Sequence, residues 1–102
     1  MRPLAQPASD SIELVSVLHA LGDPVRLELV RRAWATPGLT CSADGLSVPA
    51  STLTNHWRIL REAGVVSMTV DGRHRRIQLR AEDLRARFPG LLDLILGIDT
   101  ES

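Results

Sequence analysis

Val48 to Arg80 read V-P-A-S-T-L-T-N-H-W-R-I-L-R-E-A-G-V-V-S-M-T-V-D-G-R-H-R-R-I-Q-L-R, and two elements lie in this stretch back to back. Leu53, Trp57 and Leu60 recur at i, i+4 and i+7, so they fall on one stripe of a helix, with Ser51, Asn55, Arg58 and Glu62 opposite. Gly64, after Ala63, suits the helix end, because glycine reaches the left-handed conformation without a Cβ clash; Val65 can then fold back on the last turn. Val66, Met68, Ile77 and Leu79 alternate at period two about Asp71-Gly72, a dipeptide that favours a type I′ turn. Pairing Val70 with Arg73 sets Val66 opposite Ile77, and the inward faces agree.

The free face of the helix carries Ser51, Thr52, Thr54, Asn55 and Arg58. Hydroxyls, an amide and a guanidinium can donate to and accept from phosphate oxygens and base edges in a DNA major groove. At the hairpin tip sit Arg73, His74, Arg75 and Arg76, too many cations on too short a loop to be buried. A charge run by itself is usually a solvated face. Directly behind a helix with this polar face, it points to phosphate or minor-groove contact. Nothing assembles a nucleophile, a base and oxyanion donors, so the pattern does not read as an enzyme.

Charge counted by segment agrees. The whole chain is neutral, with 12 basic and 12 acidic residues. Residues 1–49 carry 4 Arg against 5 acids, residues 50–80 carry 6 Arg against 2, and residues 81–102 carry 2 Arg against 5, giving −1, +4 and −3. Neutrality overall with a basic middle argues for binding at one surface rather than a general coat on nucleic acid. Every basic residue is Arg, whose planar fork suits guanine edges and phosphates.

At 102 residues the chain is expected to be one domain, over residues 10–97, with disordered tails at 1–9 and 98–102. No run approaches membrane-spanning length, and the opening M-R-P-L-A-Q-P-A-S-D lacks the apolar core of a secretion signal, so no membrane partner and a cytoplasmic location are expected. The single cysteine agrees with that compartment. Ser9 or Asp10 can cap a first helix reaching Leu21, with Ile12, Val15, Leu18 and Leu21 or its neighbour inward. Gly22-Asp23-Pro24 ends that helix and starts the next, Asp as N-cap and Pro at the first helical position. The second helix runs to about Ala35 and buries Val25, Leu29, Val30 and Trp34. A short third helix is expected near Cys41 to Leu46, and a last helical region from about Glu82 to Leu96, bent or divided at Pro89-Gly90. The fold class is therefore mainly α with a small β-hairpin: four helices, the hairpin, and a fifth helical region, a winged helix-turn-helix.

Three segments carry a resemblance: A-L-G-D-P-V-R-L-E-L-V (Ala20 to Val30), S-T-L-T-N-H-W-R-I-L-R-E-A-G-V-V (Ser51 to Val66) and the D-G-R tip. In order and spacing they resemble the ArsR/SmtB family of winged-helix repressors. The resemblance implies a homodimer joined through its first and last helices, bound to double-stranded operator DNA and released by an inducer. It also implies that His56, at a position the family fills with His, makes a phosphate or structural hydrogen bond. Ile12, Val15, Leu84, Phe88, Leu91, Leu92 and Ile95 would supply the dimer surface, although the same stripe reads equally as ordinary core. Pro49 stands where the family often has a Ser cap, and Trp57 replaces the usual Leu, needing small neighbours such as Ala33, Ala35 or Ala50.

The family's metal chemistry does not carry over. Cys41 and Asp44 match part of the arsenic and cadmium type's Cys-x-Cys-Asp-Leu motif, but Ala43 replaces the second thiol and Gly45 follows. Residues 81–102 hold no His for the zinc and nickel type, and Asp93, Asp99 and Glu101 alone would make a weak, hard-cation surface. His19 reads as a solvent or dimer-edge residue and His74 as facing solvent or phosphate. No metal and no cofactor are expected. Cys41 reads as a small buried residue, with a thiol switch as the sharper alternative. The reading is a homodimeric, sequence-specific DNA-binding regulator, a repressor released from a palindromic operator. A protein-interaction adaptor and a redox sensor acting through Cys41 are the alternatives, and the signal could come through an accessory sensor protein.

Overall fold

The computed structural model describes residues 2–3, 6–40 and 48–97. The expected third helix, with Cys41, and residues 98–102 lie outside the described residues. Among the described residues five α-helices appear in order: α1 Leu14–Leu21, α2 Pro24–Ala35, α3 Ala50–Ala63, α4 Ala81–Arg87 and α5 Leu91–Leu96. Four strands, β1 Arg2–Pro3, β2 Leu39–Thr40, β3 Val66–Asp71 and β4 His74–Leu79, form one antiparallel sheet in the order β1-β3-β4-β2. The architecture is a winged helix-turn-helix, with α3 leading directly into β3–β4 as the wing. Among the described residues no helix is long and apolar enough to cross a membrane.

The first helix differs from its sequence reading. Ser9–Ser11 form a 3-10 turn, Ile12 and Glu13 are extended, and α1 starts only at Leu14. Val17, Ala20 and Leu21 face inward, while Leu14, Val15 and Leu18 face out, Val15 with 77% of its surface exposed. The break has a packing reason. It lets Ile12, 1% exposed, drop into the core against Gly64, so close that a Cβ built on Gly64 would lie 2.6 Å from Ile12 Cγ1.

Asp23 caps α2, its Oδ1 accepting from the backbone N–H of Val25 at 2.8 Å and of Arg26 at 3.2 Å, with Pro24 at the first position. Those two N–H groups hold the Asp23 carboxyl below its ordinary pKa, the Arg26 bond most, with the Arg26 and His56 charges adding and desolvation opposing. Leu29 and Val30 are buried and Val25 partly so, but Trp34 stays exposed. One face of its indole is covered instead by the Arg85 guanidinium, 5.1 Å from the ring centroid.

On α3 the expected stripe is the buried one: Leu53, Trp57, Leu60 and Ala63. Of the three alanines named as neighbours for Trp57, only Ala33 belongs to the core. Trp57 Nε1 is buried with no hydrogen-bond partner among the described residues. Gly64 closes α3 at φ +88°, and Val65 N–H folds back to the Leu60 carbonyl at 3.0 Å.

In the wing the inward residues are as expected, but the register is shifted by two. Asp71 pairs with His74 and Val66 with Leu79, so the turn residues are Gly72 and Arg73 rather than Asp71 and Gly72. Gly72 takes φ +62° and among the described residues no non-glycine has positive φ, which is the pattern of a II′ turn, not I′. A two-residue slip leaves each side chain on its own face, so Met68 and Ile77 remain buried together.

Both edges of the wing are covered. Leu39 pairs with Ile77 on one side and Arg2 with Val70 on the other. The opening residues, expected as a tail, are thus tied down in part: Gln6 Oε1 accepts from Met68 N–H at 3.1 Å, and Arg80 donates to the Pro7 carbonyl at 2.6 Å. At the far end Gly90, φ +87°, divides the last helical region into α4 and α5.

Candidate nucleic-acid interface

The working face of α3 follows from its buried one. With Leu53, Trp57 and Leu60 turned inward, Ser51, Thr52, Thr54, Asn55 and Arg58 are exposed. Pro49 serves as N-cap without a side-chain bond, and its carbonyl accepts from Leu53 N–H at 3.0 Å. The first turn therefore keeps N–H groups with no side-chain cap, beside Ser51 and Thr52. Thr54 spends its hydroxyl proton on the Ala50 carbonyl at 3.0 Å but can still accept. Arg58 donates to Asn55 Oδ1 and, at 3.1 Å, to Glu62 Oε1. The periodicity puts Asn55 and Arg58 on one face; it does not disclose that they are joined. The Asn55 amide keeps both N–H donors, so the pair has donors to offer beside the oxygen that Arg58 holds.

The wing sorts its cations. Arg76 is drawn back, 3.5 Å from Asp71 Oδ2 and 3.4 Å from the Gly38 carbonyl. Arg73, His74 and Arg75 are exposed and have no side-chain partner among the described residues. Elsewhere in residues 50–80, Arg58 pairs with Glu62, Arg80 pairs with Asp83 at 3.0 Å, and Arg61 is also engaged. The uncompensated charge of the basic segment is thereby concentrated at the tip, on Arg73 and Arg75.

His56 behaves differently from its neighbours. It is half-buried, and its Nδ1 lies 3.1 Å from Arg26 Nη1 on α2. Arg26 is a contributor that sequence reading passed over. Its place in the D-P-V-R-L segment gave no signal of burial, since the periodicity of α2 marks only apolar positions.

Of the residues expected at a dimer surface, Ile12, Leu84 and Leu92 are buried in the chain's own core. Phe88, Leu91 and Ile95 are half-buried against it, and only Val15 is well exposed. The apolar side chains open to a partner are Leu14, Val15 and Leu18 on α1, Trp34 on α2, and Leu94 on α5, the last 79% exposed. A stripe of apolar residues at helical spacing does not say which part faces the core. Cys41 lies outside the described residues. Among the described residues no three His, Cys, Asp or Glu side chains are grouped to hold a metal.

These elements are similar to those of known proteins. Residues 21–69, which span α2, α3 and the first four residues of β3, match the helix-turn-helix domain family. The chain is 28% identical over 90 residues to YceK of Bacillus subtilis (strain 168), an uncharacterized HTH-type transcriptional regulator, over 85% of this chain and 90% of that protein. Its fold matches the crystal structure of an ArsR family transcriptional regulator with a TM-score of 0.67 at 19% identity, over 96% of this chain and all of that one. Domain and fold agree with the exposed polar helix and the cationic wing: the chain has a winged helix-turn-helix fold with a helix-turn-helix domain, and is similar to an HTH-type transcriptional regulator.

Proposed function

We propose that this protein is a transcriptional regulator of the ArsR type, a homodimer that binds a palindromic DNA operator, acts as a repressor, and is released by a signal. α3 enters the major groove with Ser51, Thr52, Thr54, Asn55 and Arg58, while the wing lays Arg73, His74 and Arg75 on flanking phosphate or in the adjacent minor groove. The observation that carries the reading is the free charge at the wing tip beside an uncovered polar helix face, since cations without carboxylate partners are those able to exchange counterions for phosphates. Exposed Leu14, Val15, Leu18 and Leu94 are the surface that a second copy would cover.

Selection of bound duplexes from a random pool, followed by footprinting, tests the proposal. The expected result is an imperfect palindrome with half-site centres about one helical turn, ~34–36 Å, apart. Replacing Arg73 and Arg75 together by Ala should weaken good and poor sites alike and flatten the salt dependence by about 1–2 units of slope. Asn55→Ala should change base preference instead. Sequence-independent coating, or a wing double variant that binds as tightly as wild type at moderate salt, would refute it.

A further inference from the structure

We propose that Arg26 is a positioning residue for DNA reading: buried on α2, it clamps the end of α1 to His56 of α3 and fixes His56 with Nδ1 as acceptor, so that Nε2–H is offered to a DNA phosphate. The inference rests on the DNA-binding reading above and adds to it a residue and a defined donor. Arg26 is 9% exposed and is the one charged side chain in the core among the described residues. A buried guanidinium is tolerated only where its N–H groups find acceptors. Nε donates to the Ala20 carbonyl at 2.5 Å, Nη2 to the His19 carbonyl at 3.4 Å, and Nη1 to His56 Nδ1 at 3.1 Å. The two carbonyls belong to the last turn of α1, where the i+4 helical donors run out, although the His19 carbonyl also accepts from the Gly22 N–H at 3.3 Å, and where the helix dipole favours a cation.

The third contact fixes chemistry. Arginine has donors only, so Nδ1 must supply the lone pair, and a neutral imidazole that accepts at Nδ1 carries its hydrogen on Nε2. Nε2 has no partner among the described residues, and His56 is half-exposed, next to Asn55 on the reading helix. A ring held from behind by a rigid fork is a preorganised donor, and phosphate oxygens are the acceptors such a donor meets on DNA. The same fork ties α3 to α1, the helix whose outer side bears Leu14, Val15 and Leu18, so the pose of the reading helix is referred to that of the helix proposed to meet a second copy.

The test has two arms. In nitrogen-15 NMR of the DNA-free chain, His56 should show an unprotonated, accepting Nδ1, and Arg26 Nε–H should be protected from exchange; a proton on His56 Nδ1 would overturn the clamp. In binding to duplexes recovered by the wild-type chain, His56→Asn retains an acceptor near Nδ1 but loses the outer N–H. It should bind about tenfold more weakly on good and poor duplexes alike, with its unfolding midpoint unchanged. His56→Gln, with an amide near the Nε2 position, should recover part of that loss. Arg26→Met, measured on the folded fraction at low temperature, should lose affinity to a similar degree, and combining it with His56→Asn should add little. His56→Asn binding as tightly as wild type would overturn the proposal, as would full affinity in folded Arg26→Met. If the wild-type chain recovers no duplex, the regulator reading fails, and the NMR arm still decides the clamp.

Discussion

α1 and α3 are both amphipathic on paper, yet only α3 uses the face that its spacing indicates. In α3 the polar residues are numerous and placed on one side, so Leu53, Trp57 and Leu60 have a single consistent inward orientation. In α1, L-V-S-V-L-H-A-L, apolar residues occur all round, and the face that packs is chosen by Ile12 and by the end of α3. The result is opposite in kind: α3 shows solvent a polar surface, α1 an apolar one. A helix with too few polar residues does not carry its own orientation, and an apolar outer face on a small domain is a reason to look for a second copy.

Paired substitutions on α1 should break the contrast most strongly. Val17→Glu buries an unpaired carboxylate and should leave the chain unfolded at room temperature by circular dichroism. Val15→Glu, two positions away, should unfold like wild type but sediment as a monomer and lose operator binding. If both unfold alike, the outward assignment of Val15 is wrong.

The contact that orients α1 can be attacked from α3. Gly64→Ala combines left-handed strain with a Cβ driven into Ile12, and should cost about 2–5 kcal/mol in denaturant unfolding. Gly72→Ala at the wing tip has positive φ but nothing within 4 Å, so strain alone, about 1–2 kcal/mol, should remain. Equal costs at the two sites would mean that Ile12 does not pack on Gly64.

Trp57→Phe should be milder than a buried indole suggests, within about 1 kcal/mol of wild type, because the lost contacts are offset by removal of an N–H that has no partner among the described residues. A loss of 3 kcal/mol or more by thermal unfolding, on the scale of about 3–5 for full truncation, would show that Nε1 has an acceptor.

The smallest effect is acidic. The Asp23 carboxyl is held below its ordinary value, 3.8, so its contribution is fully present above that value and is lost as pH falls through the lowered one. Asp23→Asn keeps a capping oxygen without the charge, and should flatten the pH dependence of stability below about pH 4 while leaving the neutral unfolding midpoint within a few degrees.

Much was decided by sequence alone. The reading helix and its faces, Asp23-Pro24 as a helix start, Gly64 as a helix end and the inward residues of the wing are local: each depends on spacing within a turn or on the backbone freedom of one residue. So is the basic character of residues 50–80. The tertiary structure decided whatever required a choice between equivalent partners. It set the wing register, where Gly72 occupies the first rather than the second turn position and the alternation of side chains cannot tell the two apart. It chose which apolar residues of α1, α4 and α5 are core and which are open, because an apolar side chain carries no label for the surface it will meet. It also decided which arginines are engaged, since pairing Arg76 with Asp71 and Arg80 with Asp83 while leaving Arg73 and Arg75 unpaired among the described residues depends on distances that only the folded chain fixes.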